Sequence, residues 1–322
     1  MNTLLVKAHP DSVPSRTLVI GGGGYIGSYL VPLLIASGRK VTVLGKSAAS
    51  QFPLPVDAVY VSGDFGQKDL IRSLLDSHQE IVHLAYASKP NTSFHNPLED
   101  LLQNLPPTVQ LFSEIAARGG KLILISSGGT VYGEAQNFPI REDHSTQPIS
   151  PYGLTKLTLE NYARLYAMTH DLRYVCIRPS NAYGVGQRPF AGQGFISTAM
   201  GCVMRGQPIQ IFGEEGAVRD YIYVSDLASG VFSAMQFGKL SETYNLGSGI
   251  GFTNRAVIEM MTPSMKMIGF DVKVEHLPER PFDVKANVLD TTKLKSDTGW
   301  QPNIGIDEGL ALTAKWMSNF NG

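Results

Sequence analysis

A tyrosine four residues ahead of a lysine can do proton chemistry, and the chain holds that pattern once, at Tyr152-Gly153-Leu154-Thr155-Lys156. On a helix this spacing puts both side chains on one face. An unperturbed phenol titrates near pH 10 and is a poor base at neutrality. A neighbouring ammonium favours the phenolate and brings it towards the working range. Such a tyrosine can take the proton of a carbinol hydroxyl while the carbinol hydride leaves for an acceptor. The pair opens a predicted helix, Pro151–Thr169, and Ser126 and Ser127 end the strand before it.

The acceptor is predicted from a second pattern. Gly21, Gly24 and Gly27 form G-x-x-G-x-x-G around Tyr25 and Ile26, between an apolar run and an amphipathic stretch. Glycine is needed where a turn takes positive φ, where backbone approaches a pyrophosphate, and where helix meets strand closely. The helix that follows offers unpaired N–H groups and its positive dipole end to phosphates. In a strand–turn–helix–strand setting this is a dinucleotide loop. A bound nicotinamide cation would be a second charge favouring the Tyr152 phenolate.

Dinucleotide folds commonly place an acid for the adenosine ribose at the end of the second strand. Here that position is Gly45, followed by Lys46 and Ser47. Lys46 can attract a 2′-phosphate, or it is a solvated loop cation and NAD is held by other contacts. NAD and NADP are therefore both open on these residues. Asp64, in Gly63-Asp64-Phe65, is the acid candidate for the adenine amino group.

These residues need a scaffold, and the hydrophobic rhythm provides one. Apolar runs at Thr17–Ile20, Lys40–Leu44, Ala58–Val61, Glu80–Leu84, Lys121–Ser126 and Arg173–Ile177 alternate with helical stretches at Tyr25–Ser37, Asp69–Ser77, Leu101–Arg118 and Pro151–Thr169. Continuous apolar strands are buried on both faces, and helix-length crossovers make them parallel. The expected fold is α/β, a doubly wound parallel (Rossmann) sheet with a smaller mixed α/β substrate lobe. Residues 16–178 with 222–250 are expected to form the dinucleotide domain. Residues 179–221 with 251–322 are expected to form the second lobe. Within the first unit, Asp226–Phe237 reads as a helix and Thr243–Leu246 as a strand that rejoins the sheet.

Composition narrows the partners. The 322 residues carry a net charge of −1, with no Lys/Arg block longer than two, so nucleic acid and membrane surfaces have no electrostatic footprint. The two cysteines, Cys176 and Cys202, read as core residues of a protein from a reducing compartment. Residues 1–16 lack an apolar signal core and contain Pro10 and Pro14, which reads as a disordered lead-in and makes the cytoplasm the default address. Seven scattered histidines, with no H-x-x-x-H and no Cys/His cluster, give a metal site no support.

Taken together these motifs resemble the extended short-chain dehydrogenase/reductases, in particular the UDP-glucose 4-epimerase and nucleotide-sugar dehydratase group. The likeness runs from about Thr17 to Trp316. The family's Gly-Gly-x-Gly-Tyr-Ile-Gly loop is similar to Gly22–Gly27, and its His-Leu-Ala-Ala segment to His83-Leu84-Ala85-Tyr86. Its Asn-Val-x-Gly-Thr helix is similar to Asn104–Thr108, where Pro106 and Pro107 are expected to shift the start of the helix. The resemblance implies a cofactor site built from Gly21, Gly24, Tyr25, Ile26, Gly27, Lys46, Asp64, Phe65, Leu84, Ala85, Tyr86, Asn104, Ser126, Tyr152, Lys156 and Pro179, with NAD favoured on family grounds. It implies substrate contacts by Asn181 in Arg178–Gly184, by Arg219 in Phe212–Val224, and by Arg280 and Asp283, the arginines on a diphosphate.

One departure falls on the third catalytic position. The family's Ser-Ser-Ser-Ala-Thr-Val-Tyr-Gly stands here as Ser126-Ser127-Gly128-Gly129-Thr130-Val131-Tyr132-Gly133, so the usual substrate hydroxyl partner is Gly128. Ser127 or Thr130 is then expected to supply the hydroxyl, or water to occupy the gap. Dehydratases carry an Asp-Glu pair where this chain has Gly129-Thr130, which favours C4 epimerisation of a UDP-hexose through a 4-keto sugar. The alternatives are an NADP-dependent nucleotide-sugar ketoreductase or dehydratase, and a non-catalytic nucleotide sensor. Family members commonly pair through two helices, here Leu101–Arg118 and Pro151–Thr169, which implies a homodimer.

Overall fold

The computed structural model describes residues 15–88, 90–279 and 284–319. The expected lead-in before residue 15, and the positions of Arg280 and Asp283, lie outside the described residues.

Along the chain the strands are β1 (Arg16–Ile20), β2 (Lys40–Gly45), β3 (Val59–Ser62), β4 (Glu80–His83), β5 (Lys121–Ile125), β6 (Arg173–Pro179), β7 (Asn181–Tyr183), β8 (Ile209–Phe212), β9 (Val218–Tyr223), β10 (Glu242–Leu246), β11 (Gly251–Thr253), β12 (Val274–Leu277) and β13 (Ala286–Asn287). The helices are α1 (Gly27–Ala36), α2 (Lys68–Leu75), α3 (Pro90–His95), α4 (Pro97–Ala116), α5 (Pro151–His170), α6 (Phe195–Met204), α7 (Val224–Phe237), α8 (Asn254–Met267), α9 (Thr292–Thr298) and α10 (Ile306–Ser318).

Seven strands form one sheet in the order β10-β6-β5-β4-β1-β2-β3. Every pairing in it is parallel, β10 included, as the rejoining strand required. Alternation along each strand feeds two cores. Val19, Ile123, Val175 and Ile177 face Leu30 and Leu34 of α1 and Val231 of α7. Leu18, Ile20, Leu122, Leu124 and Cys176 face Phe112 of α4 and Leu159 of α5 on the other side. Both faces being covered explains why the strands read as apolar runs without a polar side. Strand order reverses between β1 and β4, the crevice where ligands of open α/β sheets bind.

Past β6 the chain builds a four-stranded sheet, β11-β9-β13 with β7 on β9, and the pair β12-β8. A third core, including Tyr183, Ile211, Tyr221, Met261 and Leu310, joins these strands to α6, α8 and α10.

Two local features set the site. Ser150 caps α5, its hydroxyl accepting from the Gly153 N–H at 3.1 Å, and Pro151 fits the first helical position. Tyr152 and Lys156 therefore stand in the first turn and a half of α5. The prolines of α4 do not delay that helix as expected. Asn96 caps it at Pro97, and Pro106 and Pro107 lie in its interior. The carbonyls they leave unbonded belong to exposed Leu102 and Gln103, where water can take over.

Candidate active site

The glycine loop closes the C-terminal end of β1. Gly21 has φ +81°, and a Cβ there would stand 2.6 Å from the Ala85 nitrogen, so the turn and the β4 loop approach as only glycine permits. Gly24 is different, since a Cβ on it would meet nothing closer than the Gly21 carbonyl at 3.4 Å. A Cβ at Gly27 would fall on the Gly22 carbonyl, which is the close helix–strand contact. No side chain caps α1 at Ile26, whose own side chain packs on the core. Beneath the loop lies a cavity of about 440 Å³ lined by Gly21, Gly45, Lys46, Phe65, Leu84, Ala85 and Tyr86 among others. Its position at the strand reversal, the glycine approach and the uncapped helix start fit a dinucleotide.

Several expected cofactor residues have other employment. Lys46 pairs with Asp64 at 2.9 Å on the rim of the cavity, so neither charge stands alone. Partial burial works against the charged carboxyl of Asp64, yet the Gly66 N–H and Lys46 outweigh it and hold the group below its ordinary range. Gly45 has a physical cause: a Cβ there would sit 2.6 Å from the Tyr60 hydroxyl, which donates to the Ser47 carbonyl at 2.8 Å. The ring of Tyr25 turns away from the cavity, edge-on to Tyr29 and near Phe52, each at 6.4 Å between centroids. Asn104 is buried, accepting from the Ala87 N–H at 2.8 Å and donating to the Asp100 carbonyl at 2.7 Å. It fixes the loop that lines the cavity and is not itself among the lining residues.

The Ser126 side chain is likewise engaged elsewhere. Strand alternation sends it to the side opposite Ser127, where its hydroxyl donates to Glu160. Glu160 in turn holds Arg178 at 2.6 Å, and Arg178 donates to the Tyr132 hydroxyl at 2.8 Å. This buried network ties β5, α5 and β6 together. Pro179 ends β6, and its carbonyl accepts from the Gly128 N–H at 2.8 Å.

Tyr152 and Lys156 come together with Ser127 as the spacing required. The Ser127 hydroxyl is near enough to the Tyr152 phenol to favour its charged form. The Lys156 ammonium donates to the Ile125 carbonyl at 2.8 Å, and lies 4.1 Å above the Tyr86 ring and 5.7 Å from the Tyr152 ring centre. Electrostatics depart from expectation. Burial pushes the Tyr152 phenol well up, with Asp100 adding to it and Ser127 opposing. The lysine does not offset this, because its own ammonium is desolvated and its pKa is pushed down to about 8. In the protein alone the phenol stays protonated at neutral pH.

Gly128 does not leave a gap in the site. A Cβ there would meet Leu289 Cδ1 at 2.5 Å and the carbonyls of Arg178 and Pro179 at 2.9 and 3.1 Å. The position faces packed protein, so the hydroxyl beside Tyr152 comes from Ser127. Thr130 Oγ1 and Asn181 Nδ2 are buried polar atoms with no hydrogen-bond partner among the described residues. Asn181 Oδ1 stands 3.7 Å from where a Cβ of Gly129 would be. Arg219 lies on β9, half-buried, with one guanidinium nitrogen donating to the Val218 carbonyl at 3.0 Å. Sequence reasoning missed Asp100, a buried carboxylate that accepts from Ser88 and from Thr155 at 2.7 Å, and Ser93, which accepts from the Tyr152 N–H at 3.2 Å. Neither sits in a recognisable motif; the nearest signal for Asp100 is an acid on an otherwise buried stripe of α4.

The family model of the NAD dependent epimerase/dehydratase family matches residues 17–247. The chain belongs to that family. This epimerase/dehydratase is 31% identical over 313 residues to a UDP-glucose 4-epimerase of Mycolicibacterium smegmatis, covering 94% of this chain and 99% of the relative. Among solved structures it is similar to a UDP-glucose 4-epimerase of Thermotoga maritima with UDP-glucose, with a TM-score of 0.87 and 31% identity over 94% of this chain and 99% of that one. A UDP-glucose 4-epimerase of Thermus thermophilus in complex with NAD gives a TM-score of 0.84 at 31% identity, covering 94% and 98%. As an enzyme of this family it has the doubly wound fold expected from its sequence. Among the described residues no helix is long and apolar enough to cross a membrane.

Proposed function

We propose that the protein is an NAD-dependent nucleotide-sugar epimerase that inverts C4 of a UDP-hexose through a 4-keto intermediate. The observation that carries this is the convergence of Ser127, Tyr152 and Lys156 beside the cavity under the glycine loop. The relatives named UDP-glucose 4-epimerase, and the neighbour bound to NAD, support the substrate class and the cofactor.

The 21–27 loop, Phe65 and the 84–87 loop would hold NAD, which would supply the hydride acceptor and the positive charge that Tyr152 lacks in the protein alone. Tyr152 would take the C4 hydroxyl proton as C4 is oxidised and return it as C4 is reduced on the other face. Ser127 orients the phenol and the substrate oxygen. Lys156 would hold the nicotinamide ribose with a donor not used by the Ile125 carbonyl. Asn181 and Thr130 offer unsatisfied polar atoms to the sugar. Arg219, Arg280 and Asp283 are assigned to the diphosphate and nucleoside, in a lobe of residues 179–221 with 251–322. An elimination acid is not needed for this reaction, and the carboxylate near Tyr152, Asp100, is committed to Ser88 and Thr155.

The test is to incubate the purified protein with UDP-galactose and no added cofactor. Interconversion to UDP-glucose is expected, with NAD released on denaturation. A strict need for stoichiometric NADPH would replace this reading with a ketoreductase. We also propose a homodimer through α4 and α5, whose outer faces carry Leu98, Leu102, Leu154, Leu165 and Met168, all exposed. Light scattering should give twice the chain mass, falling to one chain mass in Leu165→Asp.

A further inference from the structure

The catalytic lysine of this site does not stand against its tyrosine alone. Tyr86, which lines the dinucleotide cavity, packs against both. Its ring centre is 4.8 Å from that of Tyr152 at an interplanar angle of 66°, and the Lys156 ammonium sits 4.1 Å above its face. Offset, steeply inclined rings at this separation attract edge to face. A desolvated ammonium over a ring face is held by the ring quadrupole. The ring is itself held. Its hydroxyl reaches Asp100 at 3.5 Å, while Asp100 is anchored by Ser88 and Thr155. The backbone just beyond it is fixed by Asn104, which accepts from the Ala87 N–H.

We propose that Tyr86 is a positioning residue for the catalytic pair, its ring cradling the Lys156 ammonium against the Ile125 carbonyl and setting the edge of Tyr152, with Asp100 as its anchor. This rests on the epimerase reading above. The physical case concerns placement. Lys156 has a long flexible stem and three donors, one of which goes to Ile125 at 2.8 Å. One hydrogen bond fixes a distance and leaves the head free to swing. The Tyr86 face removes that freedom without consuming another donor, which stays available for the nicotinamide ribose. A carboxylate in the same place would also fix the head, but would compete for its protons.

The test separates ring from hydroxyl and both from the fold. Tyr86→Phe, Tyr86→Leu and Tyr86→Met are compared with wild type and with Lys156→Met for kcat, KM for UDP-galactose, retained NAD per chain and melting temperature. Loss of the ring should cost on the order of tenfold in kcat in both Leu and Met variants, at little change in KM. Those two variants should also retain less NAD after purification. Tyr86→Phe should rescue most of the rate and the full NAD complement, because the face is intact. Met fills irregular space, so it keeps the experiment decisive where Leu packs poorly. Wild-type kcat and NAD content in both ringless variants would overturn the proposal, as would a Phe variant as slow as the Leu variant. Should Lys156→Met itself retain full kcat, the epimerase reading fails; should Lys156→Met be inactive while Tyr86→Leu is normal, this inference alone fails.

Discussion

Placing a serine at Gly128 should damage this enzyme, although the family pattern has serine there. The backbone at Gly128 is tied on both sides, its N–H donating to the Pro179 carbonyl at 2.8 Å and its carbonyl accepting from Asn287 Nδ2 at 2.9 Å. A Cβ would enter at 2.5 Å from Leu289 Cδ1 and at 2.9 Å from the Arg178 carbonyl. The leucine is fully buried against Val131, Tyr132 and Ile140, and the carbonyl belongs to β6, so neither has room to retreat. Overpacking of this kind costs roughly 1–3 kcal/mol. At about 2–4 °C per kcal/mol for a chain this large, Gly128→Ser should melt about 2–12 °C below wild type. Its kcat should not rise, because the new hydroxyl points into Leu289 and not at Tyr152. Scanning calorimetry with UDP-galactose turnover measures both, and Leu289→Ala in the Gly128→Ser background should recover part of the stability lost, a coupling that a double-mutant cycle isolates. An unchanged melting temperature with faster turnover would show that residue 128 faces the sugar, and would refute the packing argument.

Tyr152→Phe should lower kcat by roughly 10²–10⁴-fold while leaving bound NAD in place, since the phenol supplies proton transfer and not cofactor affinity. Ser127→Ala should cost less than Tyr152→Phe in the same turnover assay. Lys156 has a folded pKa of about 8 against an ordinary 10.5, so between those values the unfolded chain binds more protons at this site. Stability of wild type relative to Lys156→Met should therefore rise as pH increases through that window, and a fall, in melting curves taken across it, would contradict the burial of the ammonium. Glu160→Gln leaves the Arg178 guanidinium buried without its counter-charge, and chemical denaturation should register about 3–5 kcal/mol lost.

The fold was legible because both faces of the large sheet are covered, leaving apolar runs that name their own strands. The dinucleotide loop was legible for a related reason: Gly21 and Gly27 are dictated by backbone crowding that no other residue tolerates. Motifs fared worse where a role depends on which way one side chain points. Ser126 and Ser127 are neighbours of identical chemistry, and the pleat alone gives one to Glu160 and the other to Tyr152. Gly45 looked like a missing acid, whereas Tyr60, fifteen positions later and one strand over, occupies the space such an acid would need. Asp100 and Ser93 were unreadable, since long-range packing of α3 and α4 onto α5, and no local pattern, brings them to the site. Proximity of Tyr152 to a lysine is visible in the spacing, while the desolvation that raises the phenol in the protein alone is not.

Only Ser180 separates β6 from β7, and nothing separates β9 from α7. A hinge needs slack, and these two passages between the large sheet and the four-stranded one have none. Ligand exchange is therefore expected to work through loop movement, with no opening of rigid halves about these two passages. The same tautness binds the two sheets into one melting unit, so a calorimetric scan should show a single transition, with no half of the molecule outliving the other.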